Sequence, residues 1–147
     1  MRENGDVFLT RYHDEENNGF PGYWNHAAIY YEGFIIESLM EIGVHKIPFD
    51  EWDKGVDKYI QLRTVYDSPY ADKAGKHSLT MIGLPYRMVT SVFRFLWLSR
   101  IKEGLNCVTL VRLAWKKALG KDPRWLKPDD IARDKMFYVV DTKIIPG

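Results

Sequence analysis

Two apolar, β-prone runs, Asn25 to Tyr31 and Phe34 to Leu39, are separated only by Glu32-Gly33. A two-residue connection ending in glycine between such runs is a strong hairpin signal, because the turns that match the twist of paired strands need positive φ. The turn also sets the register. Tyr31 faces Phe34, and counting back along both strands places Ala28 opposite Glu37 and His26 opposite Leu39. Residues two apart share a face, so Glu37 and His26 are diagonal neighbours roughly 7–8 Å apart at the backbone, a gap a glutamate side chain can close to an imidazole N–H. A slip of one residue would send every side chain to the other face.

The remaining pattern reads as α+β in one domain, residues 1–147. Asp6 to Arg11 is expected as a short strand, followed by a polar loop from His13 to Gly22. Gly43 to Ile47 and Lys58 to Val65 are further strands, with Pro48 to Gly55 as the turn between them. Ser68 as an N-cap with Pro69 at the first helical position opens a helix to about Ile82, and Gly83-Leu84-Pro85 closes it. After Gly104, residues Cys107, Leu110, Val111, Ala114, Trp115 and Ala118 repeat at helical spacing, with Lys116 and Lys117 at the negative pole and Gly120 as the stop. Lys127-Pro128-Asp129-Asp130 opens one or two helical turns, and Met136 to Asp141 is a closing strand.

Composition removes several function classes. With 21 Lys+Arg against 20 Asp+Glu the net charge is +1, so no global field draws in nucleic acid or an anionic membrane. The five Trp and nine Tyr therefore read as core and cleft wall, since base stacking needs a basic stripe beside it. Cys107 is the only cysteine, so no disulfide forms within the chain and no cysteine-based zinc or iron–sulfur site exists. Gly75-Lys76-His77-Ser78 lacks the spacing of a phosphate loop, and Asp14-Glu15-Glu16 lacks the alternate spacing of a calcium loop. Val7-Phe8-Leu9 is too short for a signal-peptide core, so the chain as given is expected to be cytoplasmic or trimmed. Val89 to Ile101 is too short to cross a membrane and is interrupted by Arg94 and Arg100; it reads as a buried or cleft-lining helix, with lipid contact as the alternative.

The chemistry centres on Cys107. A lone cysteine on an apolar helix face is ordinarily packing. This one lies in the first turn of its helix, where unpaired N–H groups and the dipole favour a thiolate, and the capping-type Asn106 precedes it, which places the sulfur at the rim. Of the four histidines, His13, His45 and His77 sit where a solvated or structural role suffices. His26 opens an otherwise apolar strand and needs a specific partner, which the register supplies as Glu37. Cysteine, histidine and carboxylate are the parts of a cysteine hydrolase: thiolate attacks a carbonyl, imidazolium protonates the leaving group, and the acid orients the ring.

Read in order, Gly5-Asp6-Val7-Phe8-Leu9-Thr10, Trp24-Asn25-His26-Ala27-Ala28-Ile29-Tyr30, Ile36-Glu37-Ser38, Gly43-Val44, Leu62-Arg63, Gly83-Leu84-Pro85-Tyr86, Asn106-Cys107 and Pro128-Asp129-Asp130-Ile131 resemble the circularly permuted NlpC-type papain-like hydrolases, the YiiX-like proteins. The order histidine, acid, cysteine carries the resemblance, because unpermuted relatives begin with the cysteine. It implies a papain-like α+β fold whose cysteine helix packs on an antiparallel sheet, with Cys107 as nucleophile, His26 as base, Glu37 as the orienting residue, and no metal or organic cofactor. The implied substrates are cell-wall peptides of peptidoglycan first. Lipid or acyl-amide bonds come second, as in lecithin–retinol acyltransferase-like enzymes, and an inactive binding module of the same fold is the rival. The chain departs from the pattern at Asn25, where serine is usual, at Asn106, where an aromatic is common, and at Val108-Thr109 in place of Ser-Glu. These departures spare the three catalytic positions and leave the Cys107 backbone N–H as the one assignable oxyanion donor.

Overall fold

A computed structural model describes residues 1–11, 22–86 and 106–145. The elements, in chain order, are β1 (Val7–Thr10), β2 (His26–Tyr31), β3 (Phe34–Leu39), β4 (Gly43–Pro48), α1 (Phe49–Lys54), β5 (Lys58–Thr64), α2 (Ser68–Leu79), α3 (Cys107–Leu119), α4 (Pro128–Arg133) and β6 (Phe137–Ile144). The strands form one sheet in the order β4-β3-β2-β1-β5-β6, and every neighbouring pair is antiparallel. The fold is thus α+β, with the cysteine helix α3 packed against β2 and β3.

β1 is central and wholly buried, so both faces of the sheet must be covered, and alternation sorts its side chains accordingly. Val7 and Leu9 join Ala27, Ile29 and Ile36 in the core under α2 and α3. Phe8 joins Ala28, Ile35 and the α1 side chains Phe49 and Trp52 on the opposite face. The Phe8 ring lies 5.4, 5.3 and 5.2 Å from those of Phe49, Trp52 and Tyr59, a packed aromatic group.

The β2–β3 turn has φ of 49° at Glu32 and 88° at Gly33, as a twist-matched two-residue hairpin requires. Glu32 adopts this conformation because its N–H donates to Asn4 Oδ1 at 2.8 Å and its carboxylate accepts from Asn4 Nδ2 at 3.3 Å. The pairs Tyr31↔Phe34, Tyr30↔Ile35 and Ile29↔Ile36 follow the register expected from the turn.

Four expectations change. Pro48 to Gly55 is not a plain turn but contains α1: Phe49 and Trp52, three apart, both bury against the sheet, and Asp50 and Glu51 suit the helix start. Asp67 occupies the N-cap position of α2 without a side-chain capping hydrogen bond, Ser68 and Pro69 lie inside the first turn, and the helix ends at Leu79. The chain beyond it leaves the helix to pair with β4, through Val44 N–H to the Leu84 carbonyl at 2.8 Å and Gly83 N–H to the Val44 carbonyl at 2.9 Å. β6 continues past Asp141, because the polar Asp141-Thr142-Lys143 still pairs with β5, and the Lys143 ammonium meets Asp53 at 2.9 Å. The expected polar loop from His13 lies outside the described residues except for Gly22, and Val89 to Ile101 lies wholly outside them. Among the described residues no helix is long and apolar enough to cross a membrane.

α2 reaches β2 at Gly75, where an added Cβ would stand 2.5 Å from Tyr31 Cδ1. Gly75→Ala gains about 1 kcal/mol of helix propensity but overpacks this contact at a cost of ~1–3 kcal/mol. The expected result is a net loss of about 1 kcal/mol in urea denaturation; a more stable variant would show that the helix lies farther from the sheet.

Candidate active site

Glu37 is the hub of a buried polar group. Its Oε1 lies 2.6 Å from His26 Nε2 and 3.3 Å from Trp52 Nε1, and its Oε2 lies 3.1 Å from His45 Nε2. Glu37 is 3% exposed and His26 2%, so these contacts stand in place of water. Burial pushes the Glu37 carboxyl up, but the hydrogen bonds and charges of the two imidazoles outweigh it and hold the carboxyl down at about 2. An ionised carboxylate only accepts, so both rings present an N–H at Nε2 to Glu37.

The backbone brings these groups together in two steps. The β2–β3 register sets Glu37 on the His26 face, and the β3–β4 register puts His45 directly opposite Glu37. Trp52 then arrives from α1 on the same side of the sheet. Arg63 is engaged apart from this group: its guanidinium binds Asp6 at 2.8 and 3.0 Å and Glu3 at 2.9 Å. His45 and Trp52 do not stand out when the sequence is read only through the first hairpin. Carrying the register across the next turn, to Glu37↔His45, is the step that finds the former.

The strand entry at His26 is held from the far end of the chain. Asp129, in the first turn of α4, accepts the N–H groups of Tyr23 at 2.9 Å and Trp24 at 2.8 Å. Gly22 makes room for this carboxylate: its φ is +117°, and an added Cβ would stand 2.4 Å from Asp129 Oδ2. Asp129→Ala is therefore expected to cost ~2–3 kcal/mol by leaving two N–H groups without their acceptor, with Gly22→Ala acting in the same direction. Thermal melts of the two variants and their double mutant check this. Losses that simply add would show that the two positions do not share one contact. Opposite His26 in the β1–β2 register lies Thr10, whose hydroxyl is buried without a hydrogen-bond partner among the described residues.

Cys107 is the first residue of α3. Asn106 caps the helix, its Oδ1 accepting the Thr109 N–H at 2.9 Å and the Thr109 hydroxyl at 3.0 Å. The cap is as expected, but the thiol does not lie at a rim: Cys107 is 1% exposed and belongs to the core with Ala27 and Ile29. The cause is the breadth of the buried surface of α3, which takes in Val108 and Val111 as well as the 107-110-114 stripe and so includes the first turn. The structure thus joins His26 to Glu37 on the α1 side of the sheet, while Cys107 lies with the α2 and α3 core and makes no hydrogen bond to either. His77, on α2, is apart from this group, and burial together with Lys117 lowers its pKa.

No protein-family model and no curated protein matches this chain. Among solved structures it is similar to the crystal structure of metalloprotein yiiX from Escherichia coli O157:H7, with a TM-score of 0.72 and 14% sequence identity over 97% of this chain and 98% of that one. At that identity the likeness shows the fold, which is YiiX-like.

Proposed function

We propose that the domain is a permuted papain-like cysteine hydrolase that cleaves an amide bond through a thioester, with Cys107 as nucleophile, His26 as acid and base, and Glu37 as the orienting carboxylate. The observation that carries this reading is the buried 2.6 Å contact between His26 Nε2 and Glu37, the contact an orienting carboxylate would make in such a site. The third member rests on the family resemblance: Cys107 opens α3, which packs on β2, but its thiol lies in the core on the face of the sheet opposite His26.

In the first step Sγ of the thiolate attacks the carbonyl carbon, and the resulting oxyanion is met by the Cys107 N–H. His26 gives a proton to the departing nitrogen, the C–N bond breaks and a thioester remains. In the second step His26 takes a proton from water, hydroxide adds to the thioester, the C–S bond breaks, and the acid and thiolate are released.

The fold relative yiiX is described as a metalloprotein. Among the described residues no three His, Cys, Asp or Glu side chains could hold an ion, and both Nε2 atoms of the hub bond to Glu37.

Cell-wall peptide amides are the leading substrate class and acyl-amides the second. The test is amine release from peptidoglycan fragments and from N-acyl amides. Hydrolysis by the wild type and a loss of ~10³-fold or more in Cys107→Ala, with unchanged circular dichroism, is the expected result. Equal turnover by the mutant overturns the nucleophile, and a wild type inert on both classes favours a binding module.

A further inference from the structure

We propose that His45 is a positioning residue for this site, fixing the rotation of the Glu37 carboxylate so that one oxygen stays aimed at His26. This deepens the reading above and rests on it for its catalytic consequence. The terminal torsion of a glutamate is broad, so a carboxylate held at one oxygen swings about that contact. In Glu37 the two oxygens have separate anchors: Oε2 meets His45 from β4, and Oε1 meets His26 from β2 and Trp52 from α1. Three elements thus converge on one side chain, and two of its contacts leave His26 as the third.

The arrangement divides labour by burial. The His26 and Glu37 side chains are 3% and 4% exposed, whereas that of His45 is 23% exposed on an edge strand. His45 is therefore the part of the hub that can be changed with least disturbance to the core. Its replacement by water at Oε2 would keep a hydrogen bond but lose the fixed direction. Such a loss acts on the His26 ring, where orientation matters, and little on the stability of the fold.

The experiment uses the full chain with His45→Ala and His45→Gln, the latter keeping an N–H donor. Two signals are read: kcat and KM on the substrate the wild type cleaves, and the downfield proton resonance of the His26 Nε2–H bound to Glu37. His45→Ala is expected to lower kcat about 10-fold with KM unchanged and to broaden that resonance by exchange with water, while His45→Gln recovers most of both. A sharp resonance and wild-type kcat in His45→Ala would overturn the proposal, as would failure of His45→Gln to recover either signal. If the wild type cleaves nothing, the hydrolase reading falls and the resonance still decides whether His45 orients the pair. Trp52→Phe, which removes the other N–H and keeps a ring, is expected to disturb the resonance in the same sense and gives an independent check.

Discussion

Replacing His26 with alanine is expected to lower turnover by ~10³-fold or more, almost as far as Cys107→Ala, because in the proposed mechanism one ring supplies both the proton to the leaving group and the counter-charge to the thiolate. Glu37→Gln is expected to lower it less. Glu37 holds the ring and stabilises its charged form, and an amide oxygen at the same place still accepts from Nε2. The informative quantity is the double mutant. With His26 absent, the orienting role of Glu37 has nothing to act on, so Glu37→Gln with His26→Ala should turn over no more slowly than His26→Ala alone. Rates that multiply independently would place the effect of Glu37 elsewhere in the molecule. Circular dichroism on each variant separates lost chemistry from lost fold.

The second large effect is on stability in acid. The Glu37 carboxyl is lowered from an ordinary 4.5 to about 2, so its contribution is fully present above its unfolded value and is lost as pH falls through the folded one. The whole shift corresponds to ~3 kcal/mol, of which ~2 kcal/mol is gone by about pH 3. Urea denaturation of the wild type and Glu37→Gln at about pH 6 and about pH 3 should therefore show the stability difference between the two chains shrinking by ~2 kcal/mol at the lower pH. A difference of the same size at both values would mean that the two imidazoles do not hold this carboxylate in its charged form.

The contact between His26 and Glu37 is legible in the sequence because hairpin geometry is local: a two-residue turn fixes a register, and the register fixes a face. The helix start at Cys107 is legible for the same reason, since Asn106 and the apolar spacing are both within one turn. What escapes is set by tertiary partners. α1 is hidden between a proline and a glycine, and only the burial of Phe49 and Trp52 against Phe8 makes those residues a helix. The burial of Cys107 depends on how much of α3 the sheet covers, which helical spacing alone does not reveal. Asp129 reaches the chain more than a hundred residues upstream of it, at Tyr23 and Trp24, and no local pattern encodes such a contact.

One property of the chain makes the central claim directly measurable: its single cysteine gives an unmixed thiol signal. The claim is that Cys107 and His26 work as a thiolate–imidazolium pair. The measurement is the ultraviolet thiolate absorbance of the wild type and of His26→Ala, followed from neutral to acid; it needs no substrate and no access of a reagent to the buried sulfur. The account predicts more thiolate absorbance in the wild type than in His26→Ala across this range. The same absorbance in both proteins, or more in His26→Ala, would contradict it.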